Sequence, residues 1–300
     1  MIMSMMKRSV IMEKNIKILS KDSVSSRLER FIYSVHSIAY ISADTCKSSP
    51  KEILSNYRIM IVAEGETEIA IGNAKYNVKA GDCVIFSPGS LYSLEMLADK
   101  KCGIISFTFS LETPIQESEF TTMLGLKDIV VYNDIIPQTT LAWAYEAYKN
   151  ASSERRDCYF PISILVQRIV GLVAYHKDIT PVMARRVKGK TSSDERLVMK
   201  SHNYIINHVN RNVSVEELCK EFSVSQSYIY KCFRNVLGVS TKEFITTQKI
   251  HMTEIALLHT DKSITEIALE NGYANSYQFS NIFKKVRGIS PSAYRKINRD

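Results

Sequence analysis

The sequence predicts a two-domain α+β protein. Its front domain is a small barrel or sandwich of short strands with helices attached, and its rear domain is all-helical, two helix-turn-helix units joined by a long helix. Three observations predict this. Residues 31–112 break into short strand-like runs separated by turn signals. The last stretch of about ninety residues contains one supersecondary pattern twice, about fifty residues apart. The charge is lopsided: residues 178–300 hold 19 Lys/Arg against 12 Asp/Glu and so carry +7 of the net +8. A basic rear part suits a polyanion, because Lys and Arg release counterions from phosphates.

Three hundred residues are enough for two ordinary cores, and 45% hydrophobic with 23% charged residues is a globular balance. No apolar run approaches the roughly 18 residues that cross a bilayer, and the start lacks a secretory layout. The expected location is the cytoplasm, at the nucleoid, with no membrane partner. Cys46, Cys83, Cys102, Cys158, Cys219 and Cys232 show no Cys-x-x-Cys spacing and read as reduced thiols.

In chain order, residues 1–30 form a polar arm, and 31–177 form the regulatory and dimerisation domain. Arg58-Ile-Met-Ile-Val-Ala63 is a strand ending at Gly65. Thr67, Ile69 and Ile71 alternate with polar or small residues up to Gly72-Asn73, a two-residue hairpin signal. Residues 74–78 return, and residues 83–86 run into Pro88-Gly89. Helices follow at about 134–150 and 158–177. Ile162, Leu165, Ile169 and Leu172 lie on the apolar stripe of the second, at three-four spacing. That stripe is a candidate for pairing across a homodimer, and packing onto its own barrel is an equal alternative. Residues 178–193, with Pro, Gly and four basic residues, read as a linker. Residues 194–300 form the helical domain.

Ser214 with Glu217, and Ser263 with Glu266, are matched capping boxes at the two units. Behind each turn an apolar stripe faces inward: Ile229, Cys232, Phe233 and Val236 in one copy, Phe279, Ile282, Phe283 and Val286 in the other. The opposite faces carry Gln226, Ser227, Tyr230, Lys231 and Arg234, then Ser276, Tyr277, Gln278, Asn281, Lys284 and Lys285. Gln and Asn pair bidentately with adenine, Lys reaches guanine or phosphate, and Ser adapts to either role. Lys284, Lys285 and Arg287 lie late enough to grip phosphates. Between the units, eighteen residues from Thr241 at a rise of 1.5 Å span roughly 27 Å, and the turns bring the reading helices toward the ~34 Å of one DNA turn.

Residues 195–295 resemble the DNA-binding domain of the AraC (arabinose-regulator) family. The second unit carries the resemblance in Ile264-Thr-Glu-Ile-Ala268, Gly272-Tyr273, Phe283-Lys284-Lys285 and Gly288-Ile-Ser-Pro-Ser-Ala-Tyr-Arg295. The first unit departs at Ser223, where the family turn usually has Gly. The resemblance implies a regulator, an activator more than a repressor, that binds double-stranded promoter DNA and works with RNA polymerase. Asn77 to Gly89 resembles the turn-strand-turn of cupin barrels, and this implies a cupin-like front domain.

Cupin enzymes hold a metal through paired His and a Glu. Here His36 stands alone before His176, and Tyr92 replaces a common His, so no metal, cofactor or catalytic residue is expected. Tyr40, Tyr57, Phe86 and Tyr92 are candidate effector-binding aromatics. The signal that the front domain receives is either a small-molecule effector or a regulatory protein, and a cupin oxygenase fused to a DNA-binding domain is the remaining alternative.

Overall fold

The structure, a computed structural model, describes residues 31, 33–42, 49–95, 101–111, 113–126, 129–152, 159–179, 184–187, 189–208 and 211–299. The arm at 1–30, Cys46 and Cys158 lie outside them. The strands are β1 (Tyr33–Ser42), β2 (Glu52–Ile53), β3 (Tyr57–Ile71), β4 (Ala74–Lys79), β5 (Cys83–Phe86), β6 (Leu91–Glu95), β7 (Cys102–Leu111), β8 (Ile129–Tyr132) and β9 (Ala184–Val187). They pair in the order β1-β7-β3-β5-β8-β9, with β4 and β6 also on β3, and β2 on β6.

β3 explains how the barrel closes. Its run Ile59-Met-Ile-Val62 is almost wholly buried because both faces are covered. Ile59 and Ile61 point to the helices, together with Ile85 and Phe107. Met60 and Val62 point to the barrel interior, with Phe86 and Leu94. A register slip between Val62 and Glu64 then swings the second half of β3 onto β4 and β6. Gly65 sits there at φ 69°, and a Cβ on it would lie 1.6 Å from the Lys101 carbonyl oxygen. Only Gly allows that crossing. The hairpin at Gly72-Asn73 forms as the sequence predicts, with Ile71 opposite Ala74.

Helix α1 (Pro114–Leu124), which the sequence did not reveal, starts at an N-cap on Thr113 and ends at Gly125. Helices α2 (Gln138–Ser152) and α3 (Tyr159–Ile179) follow. The dimer expectation on α3 is corrected here: Ile162, Leu165 and Ile169 are buried in the chain's own core, and Leu172 packs against it. The stripe covers the outer face of the sheet, where Ile59 and Phe107 need apolar partners. The linker is corrected as well. Residues 184–187 form the edge strand β9, antiparallel to β8. The Lys190 amide then donates to the Asn73 side chain at 2.8 Å.

The rear helices are α4 (Ser193–Asn207), α5 (Val215–Phe222), α6 (Gln226–Leu237), α7 (Thr241–His259), α8 (Ile264–Glu270), α9 (Ser276–Arg287) and α10 (Pro291–Arg299). α7 serves two cores. Phe244 and Ile245 join Leu218, Ile229 and Phe233 in one, while Ile250 and Leu257 join Ile267, Phe279 and Phe283 in the other. Lys249 sits between them, donating to Asn212 at 3.1 Å and lying 4.6 Å from the Tyr273 ring centre.

Both units turn through a left-handed residue, Gly272 in the second and Ser223 in the first, at φ 53°. The Ser223 amide caps α5 on Cys219 and Lys220. A side chain in that conformation costs on the order of 1 kcal/mol, part of which Gly returns through a freer unfolded chain. Ser223→Gly is therefore expected to stabilise by a few tenths to about 1 kcal/mol. The check is a higher urea midpoint at unchanged slope, and a lower midpoint would contradict it.

Candidate nucleic-acid interface

The reading helices are set by their caps. Ser225 and Asn275 each accept an amide hydrogen bond from the third helical residue, Tyr228 and Gln278. α8 opens with a closed Ser263–Glu266 capping box. At α5 the expected box stays half made: Ser214 accepts from the Glu217 amide, but the Glu217 carboxylate takes Tyr204 at 2.7 Å and Arg211 instead. That pairing ties α4 to α5.

Burial of Ile229, Cys232 and Phe233 fixes the outward face of α6, and burial of Phe279 and Phe283 fixes that of α9. On α6, Ser227 and Lys231 are exposed. Gln226 is exposed but donates to Glu216 at 2.8 Å, and Arg234 caps its own helix end at the Gly238 carbonyl, 2.9 Å away. Tyr230 is half-buried against the first core, so it leaves the reading face. On α9, Tyr277 is 76% exposed, and Asn281, Lys284 and Lys285 are exposed. Ser276 is half-buried, and the Gln278 side chain accepts the Ala274 amide at 2.9 Å. Two compact faces result, Ser227 with Lys231 and Tyr277 with Asn281, Lys284 and Lys285.

Arg287 does not belong with them. Its guanidinium pairs through two nitrogens with Glu254 of α7, one contact being 2.7 Å. Burial works to raise the Glu254 pKa, but the hydrogen bonds from His251 and Arg287 and the Arg287 charge outweigh it and hold the carboxyl below its ordinary value. A phosphate would have to break that pair. Asp194 of α4 meanwhile accepts from Tyr228 at 2.9 Å, and this bond holds its pKa down.

The front domain docks on this assembly through residues 51–56 and Leu91. Ile53 and Leu91 enter the first rear core. Lys51 pairs with Glu195, Ser55 donates to Gln248 at 2.6 Å, and Asn56 meets His251 at 2.9 Å. His202, buried beneath Ser55, has its pKa lowered chiefly by burial. These cross-domain partners were missed because they lie 144 to 195 positions apart with no local signal.

The four aromatics proposed for an effector are not gathered. Phe86 and Tyr92 pack together in the barrel interior, Tyr57 lies in the other core against Phe109, and Tyr40 meets Glu64, Tyr145 and Tyr148 near the surface. Burial pushes the Tyr92 pKa up to about 12 against the opposing Arg58 charge, so its hydroxyl stays a neutral partner of Glu52 and Arg58.

The chain is similar to known proteins at both ends. Residues 218–297 match the family described as "Helix-turn-helix domain", and residues 35–117 match "AraC-like ligand binding domain". An uncharacterized HTH-type transcriptional regulator of Bacillus subtilis, YisR, is 23% identical over 268 residues, covering 82% of this chain and 88% of its own. The melibiose operon regulatory protein of Escherichia coli is 22% identical over 243 residues, covering 79% and 80%. Among solved structures, apo ToxT from Vibrio cholerae aligns with a TM-score of 0.42 at 16% identity, over 89% of this chain and 97% of that one. With a matching domain at each end and regulators as full-length relatives, the chain belongs to the AraC-type helix-turn-helix transcriptional regulators and binds DNA.

Proposed function

We propose that the protein is a sequence-specific activator that inserts α6 and α9 into successive major-groove segments of promoter DNA and recruits RNA polymerase. The carrying observation is the pair of exposed faces, Ser227 with Lys231 and Tyr277 with Asn281, each backed by a buried aromatic core. Lys231 and Asn281 are assigned to bases, and Lys284 and Lys285 to phosphates. The protein acts in the cytoplasm and is not an enzyme. Its front domain responds to a small effector, a reading favoured by the cavity that lies between the domains.

It works as a homodimer, through a different face of α3 from the one the sequence suggests. Phe160, Ile164 and Tyr175 are 71%, 41% and 57% exposed, and Trp143 of α2, 54% exposed, lies beside them under Arg168. On the same face nothing lies within 4 Å of a Cβ placed on Gly171, which leaves room for a close helix approach. Large apolar side chains displayed together mark an interaction surface. Sedimentation of the wild type as a dimer, and of Phe160→Ser/Tyr175→Ser as a folded monomer with weaker DNA binding, is the expected result. A wild-type monomer, or an unaltered variant dimer, would refute this surface.

A further inference from the structure

Gln226 is the first residue of α6, next to Ser227 on the first head, and its side chain is exposed. Its engagement within the chain uses only part of its amide. The Gln226 Nε2 donates to the Glu216 Oε1 of α5 at 2.8 Å. An amide carries one carbonyl and two N–H groups, so the carbonyl and one N–H remain for another partner. Chemistry fixes which way round the amide sits, because a carboxylate only accepts. Glu216 is held ionised in the first turn of α5: hydrogen bonds from its own backbone N–H and from the Ser214 side chain keep its pKa below the ordinary value. The second head shows the opposite sense. There the Gln278 carbonyl accepts the Ala274 amide at 2.9 Å and leaves its NH2 group as the available end. In each head the partner, and not the Gln itself, sets which end is offered.

That difference decides between purines in the major groove. Adenine presents an acceptor at N7 and a donor at N6, and a carbonyl with one N–H matches that pair. Guanine presents two acceptors, N7 and O6. With one N–H on Glu216, Gln226 has a single donor left for guanine, and its carbonyl meets O6, acceptor against acceptor. An unrestrained Gln escapes by turning its amide over. Gln226 can do so only by setting its carbonyl against the Glu216 carboxylate. In water that reversal costs little, because solvent serves both groups. Beneath DNA the water is displaced, and two facing acceptors then lose a hydrogen bond and repel each other.

We infer that Gln226 reads adenine at the first head and that Glu216 is the positioning residue that makes it refuse guanine. The inference rests on the reading-head assignment above and adds the base class at one position and the residue that sets it. Glu216 acts through Gln226 without touching the base. Its negative charge lowers affinity for every DNA sequence alike, so it sharpens the choice among sequences at the expense of strength.

The test is selection of random-sequence duplex DNA by the full chain, followed by competition between duplexes that differ at one position. In the wild type, the position read by Gln226 should favour adenine over guanine about tenfold or more. Gln226→Ala should abolish that preference and leave the other positions as they were. Glu216→Ala should cut the adenine-to-guanine ratio severalfold. So should Glu216→Gln, which keeps the size of the side chain but can donate to a reversed Gln226. Removal of a carboxylate strengthens binding to all DNA, and that effect cancels in the ratio. A role confined to capping α5 would lower the urea midpoint and leave the ratio unchanged. Any base other than adenine at the position lost in Gln226→Ala, no position altered in that variant, or an unchanged ratio in both Glu216 variants would overturn the assignment. The two readings fail differently. A defined site that Gln226→Ala leaves intact sinks only this inference, whereas recovery of no common sequence by the wild type sinks the reading heads and this inference with them.

Discussion

Phe233→Ala is expected to cost about 3–5 kcal/mol, a large share of the roughly 5–15 kcal/mol that holds a domain folded. Phe233 is fully buried, 5.1 Å from the Phe244 ring, in the core shared by α4, α5, α6 and the first half of α7. The lesion should not spread evenly. Among the described residues α7 is the one helix that contributes to both cores, so α8 to α10 keep Phe279, Phe283 and Tyr294 in place. Hydrogen exchange should show α4 to α6 losing protection while α9 retains it. The front domain should loosen as well, because Ile53 and Leu91 are anchored in the damaged core. Phe283→Ala should give the mirror result, with α9 exposed and the anchor of the front domain intact. Equal loss across both units in either variant would show that the two cores are one.

Removing base contacts from both heads should have the largest effect on DNA binding. Lys231→Ala and Asn281→Ala are each expected to weaken specific binding by about 1–3 kcal/mol, with discrimination relaxed at different positions of the site. The two residues lie on separate helices with separate cores, so the double variant should lose the sum. Lys285→Ala should instead weaken binding to all sequences alike and lower the salt slope by about one. Titrations over a range of salt concentrations separate these outcomes. An unchanged footprint and affinity in both single variants would remove the assigned faces. Loss from Asn281 alone would mean that only the second head engages.

How much of this was legible depended on how local the cause was. The reading helices were legible because turn and apolar stripe lie within about a dozen residues, and Ile229 and Phe233 are buried as their spacing predicts, whereas the caps Ser225 and Asn275 emerged only in the structure. The apolar run of β3 was legible as a strand, but its crossing between partner strands depends on contact of Gly65 with residue 101. The availability of each exposed polar residue was not legible. Gln226, Arg234, Gln278 and Arg287 have the right chemistry for DNA, yet each is engaged within the chain, two of them by residues 10 and 33 positions away. The stripe on α3 showed a helix with one apolar face but not which surface that face would meet. β9 was hidden because an edge strand in a basic, Pro- and Gly-containing stretch carries no alternation of its own.

The pairing of β9 with β8 shortens the connection between the domains far below the length of the stretch that carries it. Only residues 188–192 separate Val187, held on the sheet, from Ser193 at the start of α4. Five residues reach at most roughly 17 Å. A tether that short keeps each domain at a high effective concentration for the other, on the millimolar scale. The docking contacts at Lys51, Ser55 and Asn56 can therefore be individually weak and still be mostly made. Contacts held in that way are made and broken together, so a binder from outside the chain acts on the docked arrangement only as far as it distinguishes it from the undocked one.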